Sequence, residues 1–259
     1  MNELYDKCIW QWNRIFEEAG CCVPATPDTG IPALNEALDW LCDKTSSVLD
    51  FGCGNGILLF LCALRGTKRH VGIDLSAAGI HAAKQSSEQA ATGQYSFLCG
   101  GIERFHEIAA ASFDAIILSN ILDNLTPEDS KKLIGESFRV LKPGGRVLVK
   151  LNPHLSKEEI DRFHIRIVSG DFLDDGLYLL NYSTEKWRIQ LSSLFAIERE
   201  MTAFFAQADQ TNRIFLLKKS SHEAKPLTVV SGFYTRNKMM FERKQYIRLR
   251  RVQHSAFLM

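Results

Sequence analysis

The residues with the clearest chemical signal form a glycine-rich stretch, Asp50-Phe51-Gly52-Cys53-Gly54-Asn55-Gly56. Three glycines at alternate positions permit left-handed backbone, and they let a ligand approach main-chain groups that a Cβ would shield. Asp74 follows at the end of the next strand-like segment, where its carboxylate could accept hydrogen bonds from both hydroxyls of a ribose. The combination indicates a site for a nucleoside-containing cofactor.

The glycine spacing argues against a dinucleotide. In the dinucleotide fingerprint G-x-G-x-x-G the third glycine gives close helix packing, but Ile57 holds that position here. Gly56 comes one residue early, and Asp50 precedes the run. This arrangement favours a ligand with a ribose and a cationic amino-acid tail, which Asp50 could help to hold. An NAD-dependent oxidoreductase is therefore a remote alternative.

Strand-like and helix-like patterns alternate around these residues. The alternation predicts a parallel sheet covered by helices on both faces, wound right-handed as a Rossmann-like doubly wound α/β domain. Two later strands are close enough in sequence to form a C-terminal hairpin, which would complete a seven-stranded, mostly parallel sheet with one antiparallel strand. The predicted strands cover residues 47–51, 70–74, 95–99, 113–118, 146–151, 195–202 and 213–218.

The chain resembles the class I S-adenosylmethionine-dependent methyltransferases over about residues 45–151, and four segments carry the resemblance. They are similar to the family's glycine-rich motif, its ribose-binding acidic motif, its fourth strand and the turn into its fifth strand. The resemblance implies S-adenosyl-L-methionine as the cofactor and S-adenosyl-L-homocysteine as the product. The four segments are 48–56, 72–76, 113–120 and 141–148.

The resemblance also implies which residues contact the cofactor. Many family members have an acid after strand three that contacts the adenine amino group. Gly101 occupies that place here, so the adenine would meet backbone groups of Gly101 and Ile102 unless Glu103 swings in. The implied cofactor-binding residues are Asp50, Gly52, Cys53, Gly54, Gly56, Asp74, Leu75, Gly101, Ile102, Ser119 and Asn120.

Catalytic residues are harder to assign, because transfer from an activated sulfonium depends mainly on positioning and on the exclusion of water. A base is needed only when the nucleophile arrives protonated. Asp123 and His154 are the two candidates, and the catalytic assignment stays unknown. The loop 119–124 differs from the Asn/Asp-Pro-Pro-Tyr/Phe motif of methyltransferases that act on base or side-chain nitrogens. It looks more like the loop of enzymes that act on small molecules.

These residues predict a methyltransferase for a small-molecule acceptor. Acceptor selectivity is expected from three variable regions, residues 1–40, 121–126 and 153–190, of which the last is rich in aromatic side chains. Two alternatives remain open. One is an RNA (tRNA) methyltransferase that uses a basic C-terminal extension. The other is a non-catalytic cofactor-binding protein, which the departure at Gly101 permits.

Composition and cysteine usage bound the class of protein. The chain is 46% hydrophobic and 24% charged, typical of soluble globular proteins and unlike disordered or fibrous ones. No apolar run suits a membrane span, and residues 1–12 do not resemble a signal peptide, so no membrane association is predicted. The seven cysteines show no zinc-ligand spacing, so no metal site is expected. These features predict a reduced, cytoplasmic location.

The net charge of +1 conceals two unlike regions. After Lys219 the chain carries eight Lys or Arg residues and two Glu residues, so the remainder is net acidic. We predict a helical cap or lid at 1–40, a methyltransferase domain at 41–219 with a substrate-side insertion at 153–190, and a basic extension at 220–259. The extension is expected to pack on the acidic body or to form a homodimer, in preference to binding nucleic acid.

Overall fold

The computed structural model describes residues 3–220. This part of the chain forms ten strands and seven α-helices, which alternate from β1 to β5. The strands are β1 (Ser47–Phe51), β2 (Arg69–Asp74), β3 (Gln94–Cys99), β4 (Phe113–Ser119), β5 (Leu141–Leu151), β6 (Arg166–Ser169), β7 (Phe172–Asp174), β8 (Tyr178–Leu180), β9 (Ala196–Phe205) and β10 (Gln210–Lys218). The helices are α1 (Asp6–Ala19), α2 (Pro32–Cys42), α3 (Ile57–Leu64), α4 (Ala77–Gln89), α5 (Pro127–Val140), α6 (Lys157–Arg162) and α7 (Thr184–Ser192).

Seven strands form the main sheet, in the order β3-β2-β1-β4-β5-β10-β9. Strand β10 runs antiparallel to both of its neighbours, and the other pairs are parallel. The predicted seven-stranded, mostly parallel sheet with one antiparallel strand is therefore confirmed. The strand order reverses between β1 and β4, and ligands bind at such switch points in doubly wound sheets. Within residues 3–220, no helix is long and apolar enough to cross a membrane.

Local signals explain where the site-bearing helices begin. Ser76 Oγ accepts a hydrogen bond from the Gly79 N–H at 3.0 Å and caps α4. Thr126 Oγ1 accepts from the Asp129 N–H at 3.1 Å and caps α5, with Pro127 as its first residue. Both caps satisfy N–H groups that would otherwise lack partners. These helices therefore start close to the carboxyl ends of β2 and β4.

Two hydrophobic clusters cover the two faces of the sheet. Neighbouring residues of a strand point to opposite faces, so Leu49 joins one cluster and Val48 the other. Trp187 of α7 is fully buried in the first cluster, and Phe60 of α3 is buried in the second. Helix α3 packs against β1, β2 and α2, and nearly all of its side chains are buried, which explains its continuous apolar sequence.

The region 153–190 contains a second sheet that sequence patterns did not predict. Strands β6, β7 and β8 form a three-stranded antiparallel sheet, each strand having only three or four residues. Strands this short give no usable alternation of apolar and polar residues. The small sheet is tied to α1 by an ion pair between Lys7 Nζ and Asp174 Oδ1 at 2.5 Å. Tyr5 also packs edge-on against Tyr178, with ring centroids 6.4 Å apart.

Asp114 joins the start of β1 to β5, and we expect its replacement to cost stability in a pH-dependent way. Its Oδ2 accepts from the Ser47 N–H at 2.9 Å, and its Oδ1 accepts from Lys142 Nζ at 2.7 Å. Partial burial raises the pKa of Asp114, but the hydrogen bonds from Lys142 and Ser47 outweigh it and lower the pKa to about 2. A depressed pKa stabilises the folded state above the unfolded value, and that contribution is lost as the pH falls towards 2.

In D114N the free energy of unfolding should fall by about 1 kcal/mol at pH 7, since the carboxylate is partly exposed. Urea unfolding at pH 7, 4 and 2.5 measures the difference from the wild-type protein. The difference should shrink below pH 4, and a gap that stays constant with pH would contradict the role given to this carboxylate.

Candidate functional site

A pocket of about 230 Å³ lies at the carboxyl ends of β1 to β4 and is covered by α1. Its floor comes from the loops that follow the strands, and its cover comes from the apolar face of α1. Of the predicted cofactor-binding residues, the structure brings seven into the lining: Gly52, Asp74, Leu75, Gly101, Ile102, Ser119 and Asn120. The pocket therefore lies at the switch point, where the sequence places the cofactor.

The glycine-rich loop has left-handed backbone at all three alternate glycines. Gly52, Gly54 and Gly56 have φ values of 79°, 52° and 81°, a region that side-chain-bearing residues rarely adopt. A Cβ built on Gly54 would lie 2.4 Å from Cζ of Phe16. The close approach that requires glycine at this position is therefore made by the ring of Phe16 from α1.

Asp74 holds the loop and also faces the pocket. Its Oδ2 accepts a hydrogen bond from the Gly54 N–H at 2.8 Å, and its Oδ1 accepts from the Ser76 N–H at 2.7 Å. Burial raises the pKa of Asp74, and these two backbone hydrogen bonds act in the opposite direction. Each carboxylate oxygen can accept more than one hydrogen bond, so the carboxylate can still bind two hydroxyls of a ligand.

Asp50 lies beneath the glycine-rich loop and is not among the described residues that line the pocket. The side chain is 1% exposed, and its Oδ1 has no hydrogen-bond partner within residues 3–220. Burial, and secondly the charge of Asp74, raise the pKa of Asp50, whereas Lys150 lowers it. Burial in turn lowers the pKa of Lys150 to about 8. Cys53, Gly54 and Gly56 likewise stand behind the lining residues, so direct contact from these four remains a prediction.

The carboxylate of Glu103 occupies the space in which a side chain at position 101 would lie. Its Oε1 accepts from the Gly101 N–H at 2.7 Å, and a Cβ built on Gly101 would lie 2.8 Å from Glu103 Oε2. The hydrogen bond from the Gly101 N–H helps to lower the pKa of Glu103 against the effect of desolvation. Glu103 lines the pocket, so a carboxylate is present after β3 although the acid sits two residues later than in related motifs.

The two catalytic candidates lie apart from the pocket that the described residues form. Asp123 is fully buried, and its Oδ2 accepts a hydrogen bond from the Asn152 N–H at 2.7 Å. This bond joins the loop after β4 to the end of β5, so the carboxylate is directed into the protein interior. His154 is exposed on the segment after β5. Neither side chain is among the residues that line the pocket.

The sequence predicts a helical cap at 1–40 without assigning the residues of α1, or of the α5 side, that line the pocket. The lining residues of α1 recur at helical spacing, a signal that was present in the sequence. Tyr5 at its start donates from its hydroxyl to Asp129 Oδ2 at 2.6 Å, which joins α1 to α5. The lining residues not assigned from the sequence are Tyr5, Cys8, Ile9, Trp12, Phe16, Phe51, Gly100, Ile121, Asn124, Leu125, Asp129 and Lys132.

Residues 48–145 match the family model described as "Methyltransferase domain". A ribosomal protein L11 methyltransferase from Burkholderia ambifaria is 32% identical over 119 residues, which are 45% of this chain and 36% of that protein. A ubiquinone biosynthesis O-methyltransferase from Idiomarina loihiensis is 31% identical over 100 residues, 39% of this chain and 40% of that protein. The chain thus spans less than two thirds of the curated relatives that it matches.

The fold also matches solved structures. The N-methyltransferase NodS from Bradyrhizobium japonicum, in complex with S-adenosyl-L-homocysteine, is 17% identical with a TM-score of 0.58. The match covers 81% of this chain and 98% of that chain. At this identity the likeness shows a shared fold.

Proposed function

We propose that this chain, which carries a class I S-adenosylmethionine-dependent methyltransferase domain, transfers a methyl group from S-adenosyl-L-methionine to a small-molecule acceptor. The resemblance drawn from the sequence agrees with the methyltransferase-domain match, and a solved methyltransferase of the same fold holds S-adenosyl-L-homocysteine. The observation that carries the proposal is the pocket in which Gly52, Asp74 and Glu103 meet beneath α1.

The residues of the pocket fit this cofactor. The Asp74 carboxylate suits a ribose, because it lines the pocket and is held by two backbone N–H groups. Asp50 is buried close enough to Asp74 for the two carboxylates to interact, and its Oδ1 has no hydrogen-bond partner within residues 3–220. An ammonium group bound at this oxygen would favour the ionised form of Asp50. Glu103 and the backbone of Ile102 would hold the adenine.

When bound, the cofactor supplies a methyl group already activated by the positive charge of its sulfonium. The chain's own residues then have to bind the cofactor and the acceptor, orient them towards each other and exclude water. The apolar cover from α1, which includes Trp12 and the buried ring of Phe16, keeps water from the pocket. The side of the pocket beyond Asn120 is lined by the apolar Ile121 and Leu125 and by the polar Asn124, Asp129 and Lys132, which favours an acceptor with both an apolar part and polar groups.

The small volume of the pocket and its cover by α1 favour a small acceptor over a macromolecular one. The matched relatives include a ribosomal protein methyltransferase and an O-methyltransferase of ubiquinone biosynthesis, so relatives act on both classes. The basic extension, on which the tRNA alternative and the homodimer depend, lies outside the described residues apart from Ser220. Those two interpretations therefore stay as predictions from the sequence.

Calorimetric titration with S-adenosyl-L-homocysteine tests the cofactor site, and incubation of fractionated metabolite extract with methyl-labelled cofactor tests the transfer. We expect saturable binding and transfer of label to a small-molecule fraction. Absence of binding would refute the proposal. Binding with no transfer to any fraction would favour the non-catalytic alternative, and transfer to tRNA or to protein would identify a different acceptor.

The Glu103 carboxylate should accept a hydrogen bond from the adenine amino group. E103A should weaken binding of S-adenosyl-L-homocysteine about three- to tenfold, the range expected for one hydrogen bond. S-inosyl-L-homocysteine, which lacks the amino group, should bind the wild-type protein and E103A with similar affinity. Calorimetry with both ligands measures the two ratios. Equal losses for the two ligands would show that Glu103 supports the loop without reading the base.

A further inference from the structure

Asn120 has a strained backbone at the end of β4. Its φ of 52° lies in the left-handed region, which costs energy for a residue other than glycine and is often found at functional sites. The Asn120 N–H donates to the Lys150 carbonyl at 2.7 Å, and the Asn120 carbonyl accepts from Asn124 Nδ2 at 2.6 Å. These two bonds hold the strained backbone, and the residue forms part of the pocket wall.

A chain of side-chain amides fixes the orientation of the Asn120 carboxamide. Asn212 is 1% exposed, and its Nδ2 donates to Asn120 Oδ1 at 3.1 Å. Gln210 is 5% exposed, and its Nε2 donates to Asn212 Oδ1 at 2.7 Å and to Asn152 Oδ1 at 3.5 Å. Asn212 thus accepts from Gln210 through Oδ1 and donates to Asn120 through Nδ2. The Nδ2 of Asn120 then has no partner within residues 3–220.

Asn120, which the sequence assigns to the cofactor, is separated by the sheet order from Asp74 and Glu103. Asp74 ends β2, and Glu103 follows β3, so both lie on one side of β1. Asn120 follows β4, on the other side of β1, and its partners come from the start of β10. The apolar residues Ile121 and Leu125 line the pocket beside it. The amide therefore stands where an acceptor would lie once the cofactor occupies the β2 and β3 side.

We propose that Asn120 binds a carbonyl-type oxygen of the methyl acceptor through its side-chain N–H, and that Asn212 and Gln210 are positioning residues that hold this donor towards the pocket. The acceptor is then a molecule that combines an apolar part with such an oxygen near the atom that receives the methyl group. The inference rests on the proposed function, because an acceptor presupposes methyl transfer.

Two isosteric probes isolate the hydrogen bond. Acetophenone and α-methylstyrene have the same shape, but only acetophenone has a carbonyl oxygen. With S-adenosyl-L-homocysteine present at pH 8, ligand-observed NMR titration should show acetophenone binding about three- to tenfold more tightly to the wild-type protein. In N212D the new carboxylate accepts but cannot donate, so the Asn120 amide turns over and presents its oxygen to the pocket. N212D should then bind acetophenone and α-methylstyrene with about equal affinity.

Two further variants and one control complete the design. N120D removes the N–H donor itself, so it should lose the preference for acetophenone. In Q210E the carboxylate can only accept, so Asn212 turns its oxygen towards Asn120, and the Asn120 amide turns its own oxygen to the pocket. Residue 210 lies outside the pocket lining, and Q210E should lose the preference too. Asn181 is a buried asparagine in the 153–190 region that is bonded to the backbone of Leu155. N181D matches the buried Asn-to-Asp change without reaching Asn120, and it should keep the preference.

The outcomes separate the two proposals. Equal or absent binding of the two probes by the wild-type protein would overturn the inference, as would a preference that survives in N120D and in the folded positioning variants. A wild-type protein that does not bind S-adenosyl-L-homocysteine would overturn the proposed function. The probe ratio, measured also without that ligand, would still report on the Asn120 donor.

Discussion

G54A is expected to lower the free energy of unfolding by about 2–4 kcal/mol and to weaken binding of S-adenosyl-L-homocysteine at least tenfold. Two effects add, since the backbone at φ 52° is strained for alanine and the new Cβ would lie 2.4 Å from Phe16 Cζ. The clash must displace either α1 or the loop. A displaced loop loses the Gly54 N–H bond to Asp74, so stability and binding should fall together.

Gly170 provides a matched control, because its φ of 53° is nearly that of Gly54 and a Cβ there meets nothing within 4 Å in the described part of the chain. G170A should cost only about 1–2 kcal/mol and leave binding unchanged. The double variant F16A/G54A should be more stable than the sum of the single losses predicts, by about 1–3 kcal/mol. Strict additivity in urea unfolding would contradict the contact between the ring and the loop.

This contact also shows where sequence reasoning succeeded and where it stopped. The glycine positions and the acid at Asp74 could be read from spacing, because strand-to-helix turns impose local constraints. The sequence explained Gly54 by approach of a ligand, whereas the structure places Phe16 there. A residue so distant in sequence reaches the loop only through tertiary packing of α1, and no local pattern encodes that packing.

The same limit explains the amide chain and the replacement at Gly101. Glu103 reaches Gly101 across one turn, so its swing could be anticipated as an alternative from sequence. Asn120 and Asn212 are brought together only because β10 inserts antiparallel beside β5. The hairpin itself was predictable, but the register that sets these two side chains opposite one another depends on the assembled sheet.

D74A is expected to have the largest effect on cofactor binding, weakening S-adenosyl-L-homocysteine by about 100-fold or more. Two hydrogen bonds from ribose hydroxyls to a charged carboxylate contribute about 3 kcal/mol or more together. The variant also leaves the N–H groups of Gly54 and Ser76 without their acceptor, so the glycine loop loses its anchor. Calorimetry at pH 7.5 measures the affinity, and urea unfolding measures the accompanying loss of stability.

Two comparisons separate binding from stability. D74N retains one acceptor oxygen and loses the charge, so its affinity should lie between those of D74A and the wild-type protein. D114N removes a carboxylate that bonds Ser47 and Lys142 at the opposite end of β1, so it should lower stability while leaving the affinity unchanged. If the affinity of D74A for S-adenosyl-L-homocysteine lay within threefold of the wild-type value, Asp74 would only support the glycine-rich loop and would not bind the ligand. The ribose would then have to be held by other groups of the pocket, since a carboxylate that reaches the ligand cannot be removed at so small a cost.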